Sequence, residues 1–288
     1  MIRLAIRVRR QQAELVLAEL LSLAPSGVEE SAIGDDVVEY AVYGPPGELP
    51  DLPDVQAAAG GALVEVSSTE IADDWAERWR SFHRPLVLDG RLRVRPPWEP
   101  AGAEALDVVI DPGRAFGTGA HATTRLCLEL LLELPADRRA LIDLGCGSGV
   151  LAIVAARLGY GPVIALDFDP AAVAATAANA TVNDVELEIR RFDVRFDDPP
   201  AAPVVVANLL GPLLLDWAGR EWPSGSPQLV VASGLLVAEA DRVAAAFAHH
   251  GLRERERRQL GEWATLLLSS GPAPVLTPLR ASDGHNQG

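Results

Sequence analysis

Lysine is absent from this 288-residue chain: all 25 positively charged side chains are arginine. Cysteine and methionine are nearly absent, with two cysteines (Cys127 and Cys146) and one methionine. Two cysteines give neither a metal-ligand spacing nor a disulfide framework, so a structural zinc site and a disulfide-stapled fold are excluded, and a reducing compartment is the simplest reading. Long apolar runs are missing too; none approaches the roughly 20 residues of a membrane span. Residues Met1–Arg10 alternate as a strand does and carry no apolar signal-peptide core, so a soluble cytoplasmic protein is expected. Positive charge is short as well, the formal net charge being −15. Non-specific nucleic-acid binding rests on a basic surface, which disfavours DNA or RNA as a partner. An acidic surface suits a basic partner through steering but names none, and solubility explains it equally well.

Hydrophobic residues make up 49% of the chain, and its length suits two domains. In residues 1–70, Ile2, Leu4, Ile6 and Val8 share one strand face, and Ala13–Leu23 has helical apolar spacing ended by Pro25 and Gly27. Strands at Val37–Tyr43 and Ala62–Val66 and a short helix at Asp54–Ala59 complete a small α+β domain of βαββαβ layout. Residues 71–100 read as a linker. Trp75, Trp79 and Phe82 stand at i, i+4 and i+7 on one stripe of a connecting helix, His83 is taken as structural, and Leu86–Val94 forms a hairpin-like extension. From residue 101 to 270, strands at Leu106–Ile110, Leu141–Leu144, Pro162–Asp167, Leu187–Phe192, Val204–Ala207 and Gln228–Ser233 are separated largely by helices. This alternation predicts an α/β, doubly wound parallel sheet. Arg253–Gln259 and Trp263–Ser269 have no helix between them and are expected as an antiparallel hairpin at one edge. Residues 271–288 read as a disordered tail.

The chain is organised around Leu141–Ile153, a buried strand, a glycine turn and an apolar helix. Glycines at 145, 147 and 149 allow a tight turn and close approach to a ligand, and the free N–H groups of the following helix point back at it. A dinucleotide turn needs G-x-G-x-x-G, but position 150 is valine, so the spacing is wrong for a pyrophosphate. Asp167, at the end of the next strand, can take a pair of ribose hydroxyls. Taken with Asp143-x-Gly145-x-Gly147-x-Gly149, it points to S-adenosylmethionine rather than NAD. Asp143 either anchors the turn or receives the cofactor's ammonium group. Asn208 follows a buried strand whose carboxyl end is the usual active edge, and its amide can both donate and accept; the alternative is that it caps the turn before Gly211-Pro212. His121 either lines the entry or holds its loop closed, and Thr123 and Thr124 alternatively cap the following helix.

These segments together resemble the PrmA family of class I S-adenosylmethionine-dependent methyltransferases, which act on a large-subunit ribosomal protein, L11. The resemblance is carried by Phe116–Thr124 (FGTGAHATT), Asp143–Gly149 (DLGCGSG), Asp167–Pro170 (DFDP) and Val206–Leu210 (VANLL), with Trp75, Trp79, Phe82 and Glu262-Trp263. It implies a Rossmann-like, mostly parallel seven-stranded sheet, with S-adenosylmethionine contacts at Thr124, Gly145, Asp167 and Asn208. Asp143, Gly147 and Phe116 join this cofactor set, and Asn208 is the catalytic candidate. No metal is expected. The implied activity is methylation of amino groups, on lysine side chains and an N-terminal amine, by a monomer whose first domain docks the protein substrate. A methyltransferase acting on another protein or a small amine, and a non-catalytic S-adenosylmethionine-binding module, are the alternatives. Two departures stand out. Ala122 follows His121 where many family members have proline. Leu209-Leu210 follows Asn208 where nucleic-acid amino-methylating enzymes carry Pro-Pro-Tyr, so the aromatic partner for a flipped base is missing.

Overall fold

The computed structural model describes residues 2–23, 28–34, 36–44, 49–70, 84–112, 121–135 and 139–279. It divides into two compact units, Met1–Phe82 and His83–Gly288.

The first unit runs β1 (Ile2–Arg9), α1 (Ala13–Leu23), β2 (Glu29–Ala32), β3 (Val37–Gly44), α2 (Leu52–Ala59) and β4 (Leu63–Glu70). Its sheet is antiparallel in the order β2-β3-β1-β4, the split βαββαβ arrangement. Leu4, Ile6 and Val8 oppose Val42, Tyr40 and Val38, and this face packs with Val16, Leu20 and Val55. Helix α2 starts two residues before the expected Asp54, because the Asp51 side chain accepts from Asp54 N at 3.0 Å and Pro53 fits the first turn. Strand β2 escapes sequence reading because Glu-Glu-Ser-Ala offers no apolar alternation.

The second unit opens with β5 (Leu86–Leu88), β6 (Leu92–Arg95) and β7 (Leu106–Val109), a sheet in which β5 and β6 are antiparallel and β6 and β7 parallel. Residues 86–95, expected within a linker, therefore belong by main-chain pairing to the second unit. Arg95 anchors them by clasping both carboxylate oxygens of Asp107 at 2.8–2.9 Å. The expected connecting helix with Trp75, Trp79 and Phe82, and His83, lies outside the described residues.

Then follow α3 (Ala122–Glu133), β8 (Leu141–Leu144), α4 (Val150–Leu158), β9 (Val163–Asp167), α5 (Pro170–Val182), β10 (Glu188–Arg191), β11 (Val204–Asn208), α6 (Gly211–Ala218), β12 (Leu229–Leu236), α7 (Ala240–Ala248), β13 (Arg253–Leu260) and β14 (Trp263–Ser269). The sheet order is β10-β9-β8-β11-β12-β14-β13, parallel from β10 to β12, with β14 antiparallel between β12 and β13. Both faces are covered: Leu141, Val204 and Val206 join the core under α3 and α4, while Ile142, Val205 and Ala207 join the core under α6 and α7. That is why these strands read as unbroken apolar runs. Helix α6 starts where Gly211-Pro212 suggests a turn; Pro212 sits in its first turn, where a missing N–H costs nothing. The tail is corrected in part. Leu276 and Leu279 pack on the core, Thr277 N donates to Glu133 O at 2.9 Å, and Arg258 pairs with the Glu133 carboxylate at 2.6 Å. Residues 280–288 lie outside the described residues. Among the described residues no helix is long and apolar enough to cross a membrane.

On the other face of the first unit's sheet, Glu39 accepts from Arg3 Nη2 at 2.5 Å and Arg7 Nε at 2.8 Å while only 5% exposed. The Arg3 hydrogen bond, then that of Arg7, holds its carboxyl below the usual glutamate value. Such a group stabilises the fold above its unfolded pKa, and the contribution is lost as pH falls through the folded pKa. Glu39→Gln should therefore destabilise the first unit by about 1 kcal/mol near pH 7, with the difference shrinking as pH falls below the ordinary glutamate value of about 4.3. Calorimetric melting of both proteins across this range measures it.

Candidate functional site

The carboxyl ends of β9, β8, β11 and β12 lie side by side, since Leu144 pairs with Leu166 and Ala207, and Asn208 pairs with Ser233. The sheet order reverses between β8 and β11, which opens the crevice where doubly wound sheets bind ligands. The turn leaving β8 enters it. Gly145, Gly147 and Gly149 have φ of 79°, 54° and 82°, all left-handed, which explains glycine at each position. At Gly149 a Cβ would also lie 2.8 Å from Thr176 Cγ2.

Two carboxylates hold this turn. Asp143 is fully buried; its Oδ2 accepts from Ala152 N at 3.0 Å in the first turn of α4, while its Oδ1 has no hydrogen-bond partner among the described residues. Of the two roles expected for Asp143, the structure places Oδ2 in the anchoring one. Asp167 accepts from Gly147 N at 2.9 Å through Oδ2 and from Asp169 N at 3.0 Å through Oδ1. Each oxygen retains further acceptor capacity, and the two backbone contacts fix the orientation of the carboxylate. Burial raises the pKa of Asp167. Burial first, and then the nearby charge of Asp167, pushes Asp143 up to about 7.

Asn208 ends β11, and its Nδ2 donates to Thr124 Oγ1 at 3.4 Å. Thr124 is therefore an Asn208 partner and not a cap. The cap of α3 is His121, whose Nδ1 accepts from Thr123 N at 3.4 Å and lies 2.8 Å from Thr123 Oγ1. Its ring meets Trp263 edge-on at 4.9 Å, and burial lowers its pKa. His121 thus holds its segment in place; nothing signalled a histidine cap in the sequence. Phe116 and the rest of 113–120 lie outside the described residues.

Sequence reading also missed a polar row on the alanine-rich α5. Thr176 Oγ1 donates to Gly147 O at 3.0 Å, and Asn179 Nδ2 donates to Ser148 O at 2.9 Å. Asn179 Oδ1 accepts from Asp111 N at 3.1 Å, and Asn183 exchanges both amide bonds with the Val109 backbone at 2.7 and 2.8 Å. Helix α5 thereby ties the glycine turn to the chain leaving β7. Phe168, the residue after Asp167, lines an open cleft of about 350 Å³ with Arg191, Phe192, Asp193, Arg195 and Asp197. Phe168 is 60% exposed, an apolar residue at a strand end and the only sequence signal for this cleft. Among the described residues no cluster of His, Cys, Asp or Glu suits a metal.

The family model described as ribosomal protein L11 methyltransferase (PrmA) matches residues 54–270. The chain belongs to the PrmA family. One PrmA relative, the ribosomal protein L11 methyltransferase of Pelotomaculum thermopropionicum, is 38% identical over 215 residues, covering 72% of this chain and 69% of the relative. That of Burkholderia lata is 34% identical over 282 residues, covering 86% of this chain and 91% of the relative. The crystal structure of a ribosomal protein L11 methylase from Lactobacillus delbrueckii subsp. bulgaricus matches with a TM-score of 0.58 at 26% identity, over 65% of this chain and 98% of that one.

The raised pKa of Asp143 has a measurable consequence. Its folded value lies above the unfolded value of about 3.9, so its contribution to stability is full below that value and is lost as pH rises through about 7. Asp143→Asn removes that loss. Without ligand, the variant's thermal midpoint should fall less than the wild type's between about pH 5 and about pH 8. Equal pH slopes would contradict the assignment of a buried, costly carboxylate.

Proposed function

We propose that the protein transfers methyl groups from S-adenosylmethionine to amino groups of ribosomal protein L11, on lysine side chains and an N-terminal amine. Membership of the PrmA family supports this, and the observation that carries it is Asn208, oriented by Thr124 at the reversal point of the sheet. The donor set fits the cofactor. The orphaned Oδ1 of Asp143 suits its ammonium group, Asp167 suits its ribose hydroxyls, and the glycine turn accommodates the methionine portion without a phosphate cradle. When bound, S-adenosylmethionine supplies an already activated sulfonium methyl.

The work left to the chain is alignment of a neutral amine. A lysine with pKa about 10.4 costs roughly 4–5 kcal/mol to deprotonate near pH 7, and a water-poor site lowers that cost. Because Nδ2 of Asn208 is engaged by Thr124, Oδ1 is left to accept from an amine N–H and so to aim the nitrogen lone pair. No strong base is required in this scheme. The first unit is assigned the docking of the protein substrate.

Two substitutions separate the roles. Asn208→Ala should lower kcat about 100-fold while S-adenosylmethionine affinity changes less than about threefold. Asp167→Ala should weaken S-adenosylmethionine binding at least about tenfold. The assay is transfer of labelled methyl from S-adenosylmethionine to L11, followed by mass spectrometry of the modified protein. Wild-type turnover by Asn208→Ala would remove it from the mechanism, and labelling of other ribosomal proteins in place of L11 would reassign the substrate.

A further inference from the structure

The contacts around Asn208 lead to β12. Strand β12 pairs with β14 in register up to Ala232 opposite Leu266, and pairing resumes at Leu235 opposite Ala264. Between them β12 spends two residues, Ser233 and Gly234, where β14 spends one, Thr265. This is a one-residue bulge at the point where the parallel part of the sheet meets its antiparallel edge.

Gly234 has φ 84°, and a Cβ built there would stand 2.3 Å from the Leu209 carbonyl oxygen, 2.7 Å from its carbon and 3.0 Å from its nitrogen. The main chain of Leu209 thus occupies the space a side chain at 234 would need. Ser233 O accepts from Leu209 N at 2.9 Å. On the far side of the bulge the Ser233 hydroxyl, fully buried, donates to Thr123 O at 3.3 Å and lies 2.6 Å from the Thr265 hydroxyl. The Leu209 side chain in turn fills the space above Gly145, where a Cβ would lie 2.4 Å from its Cδ2. Both halves of the Asn208–Thr124 contact are therefore gripped through their chain neighbours, Leu209 and Thr123, by one dipeptide.

We infer that Ser233 and Gly234 are positioning residues for methyl transfer: the bulge sets where the Asn208 amide stands relative to Thr124 and to the glycine turn. The inference rests on the functional reading of Asn208 given above. A bulge serving only to join the two parts of the sheet would affect stability and the amount of folded protein, but not turnover by the folded fraction. A bulge that positions Asn208 acts on turnover, and only while Asn208 is present.

The test uses the full chain. Gly234→Ala and Ser233→Ala are made alone and with Asn208→Ala, and kcat is normalised to the fraction that binds S-adenosylmethionine by calorimetry. Ser233→Ala adds no atom and so carries the test independently of any misfolding caused by Gly234→Ala. The expected result is a kcat about 10- to 100-fold lower for Gly234→Ala, and about threefold lower for Ser233→Ala. S-adenosylmethionine affinity should stay within about threefold, and the additional loss should be less than about twofold in the Asn208→Ala background. Normalised kcat equal to wild type in both variants, or a full additional loss without Asn208, would overturn the inference while leaving the proposed function standing. A wild-type protein that binds S-adenosylmethionine but methylates no L11 would overturn the functional reading and this inference with it.

Discussion

Two buried carboxylates facing one left-handed glycine turn are the constraint on which the rest of the site depends. Asp143, one residue before the end of β8, and Asp167, at the end of neighbouring β9, both have their pKa raised by burial. Each oxygen that touches the protein accepts a backbone N–H, from Ala152, Gly147 or Asp169, which forces the turn through three positive-φ glycines. One oxygen, Asp143 Oδ1, has no hydrogen-bond partner among the described residues in a fully buried position. An uncompensated buried carboxylate is costly and is relieved by a cation or a donor. The turn therefore favours a ligand with positive charge over one carrying a pyrophosphate, the physical counterpart of the glycine spacing that departs from a dinucleotide motif.

Around that turn the elements act as clamps at different distances. Helix α5 grips the carbonyls of Gly147 and Ser148 and, with the same row of side chains, the backbone of Val109 and Asp111. On the other side, Leu209 lies between Gly145 and Gly234, so the chain following Asn208 has little freedom. His121, capped onto Thr123 and held by the Trp263 ring, fixes the start of α3 with Thr124. The side chains that hold the site are thus amides, hydroxyls and a histidine, and its acidic groups are the two buried carboxyls.

The legible part of this arrangement was the part written in local patterns. Leu141–Leu144, Val163–Asp167 and Val204–Asn208 are buried on both faces and stand out as largely apolar runs, the last two ending in a polar residue, so Asp167 and Asn208 could be named from sequence. Asp169-Pro170 announced α5 through a cap and a first-turn proline, and the Asp169 side chain does accept from Ala171 N at 2.8 Å. Illegible were the residues whose partners are distant carbonyls. Asn179 and Asn183 look like polar interruptions in an alanine-rich helix, and Ser233-Gly234 looks like a strand end until Leu209 is seen against it. Gly211-Pro212 suggested a turn because the same two residues serve turns and helix starts alike. Strands β5 and β6 were set apart as an extension, because parallel pairing with β7 across the intervening Pro96–Pro100 stretch leaves no mark in either segment.

The central claim, that paired buried carboxylates and the glycine turn select a cationic cofactor, is tested most directly by calorimetric titration of the wild-type chain with S-adenosylmethionine and, separately, with NAD near pH 8. The account predicts one S-adenosylmethionine bound per chain and NAD binding at least about 100-fold weaker. NAD binding as tight as S-adenosylmethionine, or no binding of S-adenosylmethionine at all, would contradict it.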